Sequence, residues 1–131
     1  MPRKKTGRRT QAQKRGAWGE DAAAAHARAR GATVLGRNER SPYGEVDLVL
    51  LERGVIAFAE VKTRRAGALV SGRDAVGPRK RERLARTALH LLAERRVDMA
   101  RVPCRFDVFE VAPGPTGPEV TWLKNAFEVD L

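Results

Sequence analysis

Three full charges stand inside an otherwise apolar stretch, GEVDLVLLERGVIAFAEVKTR, residues 44–64: Asp47, then, after twelve residues, Glu60 and Lys62 in the run Glu-Val-Lys. A two-residue turn at Arg53-Gly54 is the simplest connection between the two apolar runs. That turn sets Glu52 opposite Val55, Asp47 opposite Glu60 and Glu45 opposite Lys62. Side chains alternate across a strand, so one face then holds Val46, Leu48 and Leu50 with Ala57, Ala59 and Val61. The other face holds Val49, Leu51, Ile56 and Phe58 near the turn, and Glu45, Asp47, Glu60 and Lys62 at the open end. A slip of one residue would spoil both patterns.

Two carboxylates facing each other repel and weaken a sheet unless something compensates. A hard divalent cation does so. Mg²⁺ takes one or two carboxylates plus waters and phosphate oxygens, and it can polarise a phosphodiester while acidifying a bound water. Lys62 lies within reach of the same phosphate, and the surrounding carboxylates are expected to favour its charged form. An isolated Glu-x-Lys in a strand is most often an ordinary surface ion pair. The joint occurrence of an Asp in facing register, Glu-x-Lys and the following Arg64 and Arg65 favours the metal site.

The elements that must position these groups are legible around them. GAWGEDAAAAHARARG, residues 16–31, reads as a helix that is Ala-rich, acidic at its start (Glu20, Asp21), basic near its end and closed by Gly31. Residues 32–40 read as a strand and SPYG as a turn. Residues 66–78, with three glycines and a proline, read as a mobile loop. From Arg79 the stripe Leu84, Ala88, Leu91, Leu92 marks a second helix. Its first half carries Arg79, Lys80, Arg81, Arg83 and Arg86, cations that oppose the helix dipole and suit an anionic ligand. CRFDVFEV is a further strand, APGPTGP a loop, and EVTWLKNAF a short terminal strand or turn. The order predicts one α/β domain around a mixed sheet, with no internal repeat.

The 131 residues carry a formal net charge of +10. Residues 1–15 hold seven Lys/Arg and no acid, whereas the rest has 19 basic and 16 acidic residues. A basic arm before a nearly balanced domain (16–131) points to a polyanionic partner, nucleic acid first. The arm reads as disordered and does not resemble a signal peptide, and no window suggests a membrane span, so a cytoplasmic location is expected. One Cys and two His argue against a zinc site. Few aromatics argue against a stacking platform for single strands.

Asp47, the twelve-residue gap and EVK resemble the PD-(D/E)xK motif of restriction-endonuclease-like nucleases. Glu20 is similar to the extra acidic residue of the archaeal Holliday junction resolvases in that superfamily. GAWGEDAA, GRNER, GEVDLVLL, FAEVKTR, the Lys80 helix and RFDVFEV…NAF together resemble the bacterial YraN family, from about Gly16 to Phe127. The proline that the motif's name places beside the Asp is absent here. The resemblance implies a restriction-endonuclease-like fold. It implies Asp47 and Glu60 as ligands of Mg²⁺ or Mn²⁺, with the Val61 carbonyl and Glu20 completing the set. Lys62 would orient water or stabilise the transition state, and Glu45 would support the ligands or pair with Lys62. Arg64, Lys80, Arg37 and Arg40 would contact phosphates, which positions a backbone without reading sequence. The activity implied is a metal-dependent nuclease on nucleic acid, DNA ahead of RNA and branched DNA among the substrates, working as a homodimer. The competing expectation is a nucleic-acid-binding protein that keeps the fold without turnover.

Overall fold

The computed structural model describes residues 10–66 and 76–129. The order is α1 (Gln11–Ala29), β1 (Thr33–Ser41), β2 (Gly44–Glu52), β3 (Val55–Thr63), α2 (Pro78–Glu94), β4 (Cys104–Gly114) and β5 (Gly117–Phe127). The five strands form one sheet in sequence order, antiparallel except for the parallel pair β3–β4, which α2 connects. The expected α/β domain with a mixed sheet is therefore observed. Of the basic arm, residues 1–9 fall outside the described residues, as does most of the expected loop at 66–78.

The two helices cover opposite faces of the sheet, and the strands sort their side chains accordingly. Ala23, Ala24 and Ala27 of α1 pack with Leu48, Leu50, Ala57, Ala59, Phe109 and Val111. Leu84, Ala88, Leu91 and Leu92 of α2 pack with Val46, Val49, Ile56, Phe58, Phe106 and Val108. The Ala-rich sequence of α1 thus lets a helix lie close on a strand of small residues. The closest approach is at Gly19, where a Cβ would collide with the Thr63 hydroxyl.

The helix α1 begins five residues before the expected Gly16. Thr10 caps it by accepting from the Gln13 amide (3.0 Å) while Gln13 Oε1 accepts from the Thr10 amide (2.8 Å), a reciprocal capping box.

The turn expected at Arg53-Gly54 is present, with positive φ at both residues (52° and 79°), as a tight hairpin of this hand requires. The expected register also holds from Glu52↔Val55 to Leu48↔Ala59. Beyond that point the alternation breaks. Val46 packs on the α2 side with Val49, whereas Leu48 and Leu50 pack on the α1 side, so Val46 is not on the face predicted for it. APGPTGP is not a loop either. Gly114 pairs with Gly117, Pro113 with Pro118, and β5 continues for eleven residues. Pro115 suits the turn, Gly117 takes φ 137°, and two facing prolines cost little in a hairpin on the sheet's edge.

A charged network ties β5 to the sheet. Asp107 has no exposed surface, and its carboxylate accepts from Arg105 Nε (2.9 Å), Trp122 Nε1 (2.9 Å) and the Asn125 amide (2.9 Å). Glu52 accepts from Arg105 (2.8 Å) and Lys124 (2.7 Å). Both buried carboxylates are hydrogen-bonded, as burial demands.

Candidate active site

The broken alternation in β2 is the device that builds the site. Where the β2–β3 pairing ends, Asp47 Oδ2 accepts a hydrogen bond from the Val61 amide at 2.8 Å, and the side chain does what a strand carbonyl would have done. Asp47 is thereby locked beside Glu60. An extended residue presents its N–H and C=O to the same neighbouring strand, so the Val61 carbonyl opens on the side where Asp47 lies.

Glu60 is buried at 3% exposure. Its ion-pair partner is not Lys62 but Lys80 of α2, whose Nζ lies 3.1 Å from Glu60 Oε2. One of the cations that oppose the α2 dipole therefore has its anion inside the protein. Gly44, Glu45, Asp47, Glu60, Val61, Lys62, Lys80, Arg83 and Leu84 line a cleft of about 270 Å³.

Electrostatics in the cleft follow from burial. Glu60 is pushed up to about 7, first by burial and then by the neighbouring Asp47 carboxylate, with Lys80 opposing. Burial also raises Asp47 above the usual aspartate value, against the pull of the Val61 amide. Lys62 moves opposite to the expectation from its carboxylate neighbours. Burial lowers it, the adjacent Lys80 ammonium lowers it further, and Glu60 and Asp47 only partly offset them. For Lys80 burial works against the charge, yet Glu60, Lys62 and Asp47 together outweigh it and hold the group above the ordinary lysine value.

The remaining expected residues lie around this centre. Glu20 receives a hydrogen bond from Asn38 (3.0 Å). Burial raises it, and Asp47 and Glu45 lie near enough to add to the rise. Arg37 is engaged with Asp21 at 2.8 Å and Glu20 at 3.8 Å, and Arg40 with Glu45 at 3.1 Å. These two arginines hold acids of the cluster, and Glu45, expected to support the ligands or to pair with Lys62, pairs with Arg40. Arg64 lies beyond β3, 3.7 Å from Glu110. Arg83, in the first half of α2, faces the cleft; only its place in a run of cations hinted at this.

Among the described residues no three His, Cys, Asp or Glu side chains converge tightly enough to cage a metal by themselves. Two adjacent carboxylates, one buried and one half-buried, and a strand carbonyl instead fit a cation that keeps waters and takes oxygens from its substrate, which describes Mg²⁺ and Mn²⁺.

The profile of the uncharacterised protein family UPF0102 matches residues 19–111. The chain belongs to this family. It is the YraN family that the motifs resemble. The chain is 43% identical to a UPF0102 protein of Syntrophotalea carbinolica over 88% of its own length and 92% of the relative's. It is 44% identical to one of Symbiobacterium thermophilum over 83% and 92%, and 37% identical to one of Pseudomonas aeruginosa over 87% and 92%. The family match spans Glu20 and the whole of the cleft. No helix among the described residues is long and apolar enough to cross a membrane.

Proposed function

We propose that this UPF0102 protein is a Mg²⁺-dependent nuclease with a restriction-endonuclease-like fold that hydrolyses phosphodiester bonds in DNA, branched DNA included. The observation that carries the reading is the pairing of half-buried Asp47 with buried Glu60, two carboxylates held together at the mouth of a cleft that also presents Lys62 and Lys80. Burying two like charges side by side is costly, and a binding-only protein would be better served without them, since they repel phosphate. Bound to Asp47, Glu60 and the Val61 carbonyl, the metal would polarise the scissile phosphodiester and acidify a water.

The chain's own groups supply the rest. Lys62, lining the same cleft, orients the attacking water and sets its positive charge toward the phosphoryl oxygens as the bond from water to phosphorus forms and the bond to the leaving oxygen breaks. Lys80 and Arg83, facing the same cleft, place positive charge against the phosphoryl oxygens. Glu20, through Asn38 and Arg37, completes the acidic surround and orients water. Cutting both strands needs two such sites, hence a homodimer.

A second reading, nucleic-acid binding without turnover, draws on the Lys80–Glu60 ion pair, which neutralises one carboxylate from within. Cleavage of linear, nicked, flapped, single-stranded and four-way-junction DNA and RNA with Mg²⁺ or Mn²⁺ separates the two. Metal-dependent cutting, lost in Asp47→Asn and Lys62→Ala while gel-shift binding persists, is expected. Binding without cleavage of any substrate, unaffected by either substitution, would leave the second reading.

A further inference from the structure

Past the carboxylates, where β3 runs out beneath the start of α1, the surface opens into a second cavity of about 520 Å³. Its lining is mostly apolar, with Trp18 and Pro113 among the walls, and Lys14, Arg15, Arg64 and Arg65 standing around it. We infer that this cavity holds one unpaired nucleobase, stacked on Trp18, of the strand whose phosphates run into the Asp47–Glu60 cleft.

Four features carry this. Trp18 has no ring partner among the described residues, whereas Trp122 stacks on Phe109 at 5.1 Å; the Trp18 ring is half-buried beside the α1 core and free to accept a flat ligand. Secondly, four cations surround an apolar slot with little to neutralise them. Lys14, Arg15 and Arg65 have no ion pair among the described residues, and Arg64 Nε lies 3.7 Å from Glu110 without a hydrogen bond. An apolar slot ringed by positive charge matches a base with its flanking phosphates better than it matches a purely apolar or purely anionic ligand. Thirdly, Thr63 lines the cavity and Lys62 the cleft. Glu60 and Thr63 are three residues apart on one strand, roughly 10 Å, a spacing that a few nucleotides bridge. Finally, the slot is rigidly placed. Gly19 seats α1 on Thr63, and the Thr63 hydroxyl donates to the Arg15 carbonyl at 3.4 Å.

The scarcity of aromatics argued against a platform for many stacked bases. A slot for a single base needs one aromatic only. A base paired in a duplex cannot enter it, so the slot would favour single-stranded segments, flaps and junctions.

The inference rests on the nuclease reading for the identity of the strand, and its test is kept apart from cleavage. The full chain, in excess chelator at low salt, is titrated with a single-stranded oligonucleotide of about eight residues, an abasic oligonucleotide of the same length, a blunt duplex and deoxyadenosine monophosphate, reading tryptophan emission and affinity. The single strand is expected to quench emission and to bind more tightly than the other three. Trp18→Leu, checked by its thermal melt, should lose the quench and on the order of tenfold to a hundredfold in affinity for the single strand, with its affinity for the abasic strand unchanged. The double variant Arg64→Gln/Arg65→Gln should weaken both strands and flatten the salt dependence by about two counterions. Equal affinity for abasic and intact strands, tighter binding of the duplex, or Trp18→Leu binding as the wild type does would overturn the base slot. Binding of the monophosphate as tight as that of the strand would overturn the strand assignment. Cleavage lost in Asp47→Asn with quenching intact would leave the slot standing, and a protein that never cleaves yet quenches would remove the nuclease alone.

Discussion

Replacing Glu60 by Gln tests whether the carboxylate pair is held at a cost to the fold. In the absence of metal Glu60 titrates at about 7, against an ordinary 4.5, because ionisation in the folded protein means a buried charge beside Asp47. Between those two values the folded chain binds more protons than the unfolded one, so the Glu60 contribution to stability falls as pH rises. Integrated from about pH 5 to about pH 8, the loss is ~2–3 kcal/mol, or roughly 10 °C in melting temperature for a domain of this size. Gln is nearly isosteric and cannot ionise, and Lys80, with 38% of its side chain exposed, can turn to water when its partner is gone. In excess chelator the Glu60→Gln variant should therefore match the wild type near pH 5 and exceed it near pH 8. Millimolar Mg²⁺ should reverse the order, stabilising the wild type and leaving the variant unmoved. Thermal melts of both proteins across this range, with chelator and with Mg²⁺, decide it. Parallel curves in chelator, or a variant that is the less stable at pH 8, would refute the electrostatic account of the site.

Three further outcomes follow from other parts of the fold. Lys80→Met removes the ammonium that occupies Glu60 (3.1 Å), and calorimetric titration should show tighter Mg²⁺ binding; weaker binding would mean that Lys80 organises the carboxylates instead of competing for them. Gly19→Leu drives a side chain into Thr63 and Val61 and should cost about 1–3 kcal/mol by overpacking in urea unfolding, while Gly16→Leu, with open space around it, should cost far less. Arg105→Met strips Asp107 and Glu52 of a shared partner and should destabilise the fold by about 3–5 kcal/mol, the usual cost of breaking a buried pair from one side, again read by urea unfolding.

The parts of this fold that were legible are those governed by local rules. Arg53-Gly54 demanded a tight turn, the turn demanded the Glu52↔Val55 register, and the stripe from Leu84 to Leu92 demanded a helix; all three are present. What could not be read depended on partners distant in sequence. Pro113 and Pro118 look like loop residues until they are found facing each other in a hairpin, held down in part by the Asp107 network. Lys80 read as a phosphate-contacting cation on the unfavourable end of a helix, and only the crossover from β3 to β4 brings it onto Glu60. The direction of the Lys62 shift failed for the same reason. The count of nearby carboxylates was visible in sequence, but burial and the facing Lys80 ammonium, which outweigh them, were not.

Asp47 shows most directly why period-two reasoning finds such a site and still misplaces it. Strict alternation put Asp47 and Glu60 opposite each other in a continuous ladder, where their repulsion would have had to be borne by the sheet. In the structure the ladder pairs end at Leu48↔Ala59, and the two carboxylates sit side by side with their repulsion still felt at Glu60. Asp47 satisfies the freed Val61 amide, Val46 turns to the α2 layer, and Lys80 enters between the layers to Glu60. The departure from strict alternation in β2 thus falls beside Asp47 and Glu60. A core substitution such as Asp47→Leu would restore an apolar strand while leaving the Val61 N–H without its acceptor and Lys80 facing Glu60 alone. On the proposed reading, the opening presents the carboxylate oxygens to a cation.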